Sequence, residues 1–131
     1  NVASTAAFQP IPNMAAYAAS KAYVLHYSEA LAEELRGTGV TVSVLCPGPT
    51  ATDFGKRAGV EMLPFFEGPL VMTANMVARE GYLGMLAGKR IIINGRLNQI
   101  GTFSNRFSPR WLSCWIAAQL MRSVKRRGQA S

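Results

Sequence analysis

Residues 40–46, Val-Thr-Val-Ser-Val-Leu-Cys, carry no charge and are dominated by β-branched and apolar side chains. Such a run reads as a strand buried on both faces, the kind found in parallel sheets covered by helices. This constrains the fold more than any other feature, because a strand of that type needs helices before and after it. The preceding one is legible. Asn13 is a good N-cap, Met14 opens a run with almost no β-branched residues, and Gly37 follows Arg36 where a left-handed C-cap belongs, so residues 14–36 are expected to form one helix. Glu29, Glu33 and Glu34 mark its wet face.

Downstream, Pro47-Gly48-Pro49 ends the strand and a long connection runs to about residue 70, carrying Phe54, Met62, Leu63, Phe65 and Phe66. Connections this long inside a compact domain are usually lids or binding loops. A second helix is expected from Thr73, as N-cap, to Ala87 before Gly88, followed by a short strand, Arg90-Ile-Ile-Ile-Asn94. The order helix, strand, loop, helix, strand is that of an α/β doubly wound parallel sheet. Ser108 and Pro109 signal the start of a C-terminal helix whose Trp111, Leu112, Trp115, Ile116, Leu120 and Val124 fall mostly on one face. Two units are therefore expected: residues 1–107, an incomplete α/β domain, and residues 108–131, a basic amphipathic helix. The first residues, Asn-Val-Ala-Ser, look like the tail of a strand whose apolar body precedes them, so the chain reads as an excerpt of a longer protein.

The 131 residues are 49% hydrophobic and 16% charged, which is ordinary globular composition. Residues 1–80 carry five basic against seven acidic residues, and residues 81–131 carry nine basic and no acidic ones. The basic character is thus a property of the C-terminal part, not a nucleic-acid footprint of the whole domain. Cys46 and Cys114 are too few for a disulfide framework or a metal cage and read as two buried thiols in a reducing compartment, so no metal site is expected. No apolar run approaches bilayer-spanning length.

Three segments carry chemistry-bearing residues toward one place. Tyr17 and Lys21 are four apart on the first helix and share a face. An adjacent ammonium favours the phenolate, as a tyrosine general acid or base requires. Ser4 lies at the end of the first strand, and Pro47-Gly48-Pro49-Thr50-Ala51-Thr52 leaves the next one. Ligands of an α/β sheet bind outside the carboxyl ends of its strands, so all three segments are expected to face one crevice. Each has an ordinary structural explanation as well: Ser4 as a strand-end serine, Pro47-Gly48 as a turn, Thr52 as the cap of a short helix at Asp53-Phe54.

Taken together, Ser4, the Tyr17-x-x-x-Lys21 pair, and Pro47-Gly48 with Thr50 and Thr52 resemble the active-site signature of the short-chain dehydrogenases/reductases, over residues 1 to about 94. The resemblance implies the C-terminal half of a doubly wound Rossmann fold, with the amphipathic helix added. It implies an NAD(P)-dependent oxidoreductase interconverting a ketone and a secondary alcohol. Tyr17 would act as general acid or base, and Lys21 would support it and bind the nicotinamide ribose. Ser4 would hold the reacting oxygen, while Pro47, Gly48, Thr50 and Thr52 would approach the nicotinamide end of NAD or NADP. The family's glycine-rich cofactor loop has no counterpart in these residues. Gly37-Thr38-Gly39 ends a helix and does not open one, and Asn1 belongs to the strand motif, not to a catalytic tetrad. The isolated chain is accordingly expected to be inactive.

Other readings remain open at this level. Ser4, His26 and Asp53 supply the residue types of a serine hydrolase triad, without the Gly-x-Ser-x-Gly elbow. The apolar connection suggests a hydrophobic substrate, and the family resemblance implies a homo-oligomer at full length. A cytoplasmic setting is expected. The apolar face of the C-terminal helix is expected to pack on the domain with its basic end solvated, and peripheral membrane contact through residues 108–131 is the alternative.

Overall fold

The computed structural model describes residues 1–59 and 71–128. In chain order they form a 3-10 turn (Thr5–Phe8), α1 (Ala15–Glu34), β1 (Val44–Cys46), β2 (Thr50–Ala51), α2 (Phe54–Arg57), β3 (Met72–Thr73), α3 (Ala74–Leu86), β4 (Ile91–Ile93), α4 (Arg96–Asn105) and α5 (Arg110–Gly128). The expected connection residues Met62, Leu63, Phe65 and Phe66 lie outside the described residues.

β1 pairs in parallel with β4, Val44 opposite Ile91 and Cys46 opposite Ile93. On its other side Leu45 bridges to Val2, also in parallel, and Ala3 N donates to Leu45 O at 2.8 Å. β1 is therefore the middle row of a small parallel sheet. A second parallel pair, β2 with β3, brings Thr50 opposite Met72. Alternation along the strands assigns the two faces. Val44 and Cys46 point to the core that contains Ala3 and Leu25 of α1, with Ile91 and Ile93 packed against it. Leu45 and Ile92 point the other way, onto α3, where a Cβ at Gly81 would lie 2.8 Å from Leu45 Cδ2 and one at Gly84 2.8 Å from Ile92 Cδ1. Helices on both faces of a parallel sheet make this a doubly wound arrangement, as expected from the element order.

Element ends differ from expectation in instructive ways. Residues 40–43 lie outside the strand, although Ser43 O accepts from Asn1 N at 2.9 Å and Ser43 Oγ donates to Lys89 O at 2.7 Å; Val40 is exposed. Asn13 does not cap α1: it takes φ of +66° in the turn before the helix, and Met14 occupies the cap position without a side-chain hydrogen bond. Thr73 caps α3 through Met76 N, and Gly37 and Gly88 adopt positive φ past the ends of α1 and α3, as the sequence predicts. α4 was not foreseen. Its N-cap is Gly95, which has no side chain to announce it, and Gly101 and several short polar residues weaken its helix propensity. Asn98 Nδ2 donates to Asn94 O at 2.8 Å and Thr102 Oγ1 to Asn98 O at 2.9 Å.

The C-terminal helix reverses the expected orientation. Ser113, Ala117 and Met121 of α5 are buried, whereas Trp111, Trp115 and Ile116 are exposed. The large apolar side chains stand outward because the helix sits on the domain by its small residues, with Ser113 Oγ donating to Asn105 Oδ1 at 2.5 Å and Asn105 Nδ2 donating to Phe8 O at 2.6 Å.

Candidate active site

Ser4 follows the strand segment that bridges to β1, so its position is fixed by the ladder that runs on as Thr5 N to Pro47 O at 2.8 Å. Its side chain accepts from Ala6 N at 3.1 Å, capping the 3-10 turn, and donates to Pro47 O at 3.4 Å. The hydroxyl thus ties the end of one strand to the loop leaving the next. Tyr17 lies in the first turn of α1, its ring 5.1 Å from that of Phe54 at an angle of 36°. One turn on, Lys21 Nζ stands 5.8 Å from the Tyr17 ring centroid and donates to Val2 O at 3.3 Å. The four-residue spacing therefore brings ammonium and phenol ring into one neighbourhood, with a strand carbonyl holding the ammonium.

The loop after β1 is internally braced. Thr50 Oγ1 donates to Gly48 O at 3.0 Å, and Thr52 Oγ1 donates to Thr50 O and accepts from Phe54 N, both at 3.4 Å. Thr52 therefore braces the turn into α2 but does not cap it: the cap position is taken by Asp53, without a side-chain hydrogen bond. Gly48 leaves room for Asn98: a Cβ there would collide with the Asn98 side-chain amide, which α4 lays against the loop, and would have to displace it.

Ser4, Tyr17, Pro47, Gly48, Thr50 and Thr52 line a single cavity of about 420 Å³ at the carboxyl end of β1, closed by Phe54 and by Leu97, Asn98, Thr102 and Asn105 of α4. Lys21 stands behind Tyr17 and is not part of the lining. Three segments read from the sequence are thus brought together. The α4 wall was missed because nothing upstream of Gly95 signals a helix. The lining is mainly apolar with a few convergent hydroxyls, the usual chemistry of a small-molecule site.

The hydrolase triad is not assembled. Ser4 lines this cavity, whereas His26 lines a separate groove between α1 and the α4–α5 junction. His26 Nδ1 lies 3.8 Å from Glu29, with a largely exposed side chain, and Asp53 is an exposed residue at the start of α2. Both cysteines are free; Cys46 is fully buried, but Cys114 is only half-buried, contrary to expectation. Burial pushes the Cys46 thiol up from 9.0 to about 11, Glu29 adds to this, and a backbone hydrogen bond involving Ser4 opposes it. A thiol so held is no nucleophile.

Residues 1–62 match the family model described as short chain dehydrogenase. A short-chain type dehydrogenase/reductase of Picea abies is 45% identical over 73 residues, covering 50% of this chain and 27% of its own length. An NADPH-dependent aldehyde reductase-like chloroplastic protein of Arabidopsis thaliana is 34% identical over 82 residues, 63% of this chain and 27% of its own length. The chain spans about a quarter of the length of these relatives. Among solved structures, the bulky-bulky ketone specific alcohol dehydrogenase of Comamonas testosteroni superposes with a TM-score of 0.55 at 23% identity, over 81% of this chain and 39% of that one. That likeness supports the fold.

Proposed function

We propose, for a chain that belongs to the short-chain dehydrogenase/reductase family, that it forms the proton-transfer side of an NAD(P)-dependent oxidoreductase that interconverts a ketone and a secondary alcohol. The observation that carries this reading is the convergence of Ser4, Tyr17 and the Pro47–Thr52 loop on one cavity, with Lys21 stacked behind the tyrosine. The residues fit the nicotinamide end of such a cofactor: the crevice lies at the carboxyl ends of parallel strands, and hydroxyls, loop backbone and the side-chain amides of Asn98 and Asn105 converge in a mainly apolar lining. When bound, NAD(P)H supplies or accepts the hydride.

The chain's own residues handle the oxygen and its proton. Tyr17, which lines the cavity, would give a proton to the carbonyl oxygen in reduction and take one from the alcohol in oxidation. Its ring is fixed by Phe54, which keeps the hydroxyl from wandering in the open cavity. Lys21, held by Val2 O one turn behind Tyr17, would on release from that carbonyl reach toward the ribose hydroxyls. Ser4 orients the same oxygen with a hydroxyl already anchored on both sides by backbone. Pro47, Gly48, Thr50 and Thr52 shape the cofactor wall. The apolar walls contributed by Phe8, Ile11, Phe54 and Leu97 favour a hydrophobic carbonyl substrate.

In a polypeptide joining these residues to a glycine-rich nucleotide-binding segment, Tyr17→Phe is expected to lower turnover by about 10²–10⁴-fold. Binding of the nicotinamide cofactor, followed by its fluorescence, should persist. His26→Gln should leave the rate unchanged. Full activity in the Tyr17→Phe variant rules out the assignment, and a His26 effect as large as that of Tyr17 would revive the hydrolase.

A further inference from the structure

We propose that the end of α4, the turn after it and the outer face of α5 form a surface that docks on an anionic lipid bilayer, independently of the chemistry in the cavity. Four aromatic rings stand out along thirteen residues: Phe103 is 60% exposed, Phe107 76%, Trp111 71% and Trp115 56%. Phe103 and Phe107 meet edge to face at 5.2 Å. On α5, Trp111, Trp115 and Arg122 are four and then seven residues apart, which puts them on one stripe, opposite the buried Ser113, Ala117 and Met121. Arg106 and Arg110 are exposed at the start of the same surface.

Charge selects the occupant. Residues 81–131 contain nine Lys or Arg and no Asp or Glu, and the sequence continues past Arg122 into Lys125-Arg126-Arg127. A second copy would bring the same positive face and be repelled, and the core of a protein interface is depleted of charge, not crowded with arginines. A bilayer rich in anionic headgroups matches both features at once. Tryptophan rings settle at the headgroup boundary, and arginines lay their stems over apolar surface while their guanidinium groups reach phosphate. Among the described residues no helix is long and apolar enough to cross a membrane, so α5 would lie along the surface.

Trp111 and Trp115 are the only tryptophans in the chain, so emission excited at wavelengths where tyrosine does not absorb reads this face alone. With vesicles of phosphatidylglycerol and phosphatidylcholine, the emission should move to shorter wavelength and the chain should co-sediment. Pure phosphatidylcholine should give neither, and added salt should reverse both. Replacing Arg106, Arg110 and Arg122 by Gln should weaken partitioning about five-fold per charge, the equivalent of about 1 kcal/mol each. Trp111→Ser with Trp115→Ser should abolish co-sedimentation with an unchanged circular dichroism spectrum. Three results each overturn the proposal: no shift with anionic vesicles, equal binding to neutral ones, or a shift without lipid that grows with protein concentration and so marks self-association.

Discussion

Cys46 shows how a single side chain at the centre of this fold is bound to its solvent exposure. It sits at the end of β1, fully buried in the core with Ala3, Leu25 and Val44, and its thiol is held up to about 11 by burial, with Glu29 reinforcing. In the folded chain the thiol keeps its proton to higher pH than in the unfolded chain, so folding binds the extra proton between pH 9 and 11. The stabilisation is complete below pH 9 and is lost as pH rises through that window, by roughly 2 to 3 kcal/mol if no other group compensates. Denaturant titrations of the chain at stepped pH should show this fall, and Cys46→Ala should flatten it while lowering stability at neutral pH. A parallel pH slope in the two proteins would show that other groups are responsible. Gly48 makes the complementary point: in the sequence it suggests close approach of a ligand, whereas in the structure its missing side chain makes room for the Asn98 amide.

Among the elements, glycines in helices divide by what lies opposite them. Gly84 of α3 presses on β4, where a Cβ would meet Ile92 Cδ1 and Cγ1 at 2.8 Å, while a Cβ at Gly101 of α4 would meet nothing within 4 Å. Both would gain up to about 1 kcal/mol of helix propensity as alanine. At Gly84 overpacking, about 1–3 kcal/mol, outweighs that gain, so Gly84→Ala should destabilise and Gly101→Ala should stabilise. Thermal melts of the two variants check the pair; a stabilised Gly84→Ala would mean that α3 lifts from the sheet at little cost. The same contrast separates what was legible in the elements from what was not. α1, α3 and their positive-φ glycines follow from spacing, caps and propensity, which are local properties. α4 is held by side-chain bonds to Asn94 O before it and to its own Asn98 O, and by its contact with the Pro47–Thr52 loop, none of which leaves a periodic apolar signal.

For the whole molecule, the proposed function makes the cavity one wall of a site. Residues 1–131 supply the hydroxyls and the lysine but no glycine-rich loop at a helix N-terminus, the usual seat of a pyrophosphate. The isolated chain should therefore give no turnover with NADH or NADPH on ketone substrates, as a spectrophotometric assay at 340 nm would check; a measurable rate would mean that the cofactor is held some other way. The sequence by itself determined the parallel α/β order and the two principal helices, because periodicity and propensity are carried by neighbours along the chain, and its motif spacing singled out Ser4, Tyr17, Pro47, Gly48, Thr50 and Thr52, which the structure brings to one cavity. Tertiary structure alone decided that β1 is confined to Val44–Cys46, that Asn98 fills the space beside Gly48, that His26 lies apart from Ser4, and that α5 turns its tryptophans outward. A hydrophobic face read from periodicity says that a helix has a side to hide; which side is hidden depends on the shape of the surface it meets, and here small residues fit where tryptophans do not.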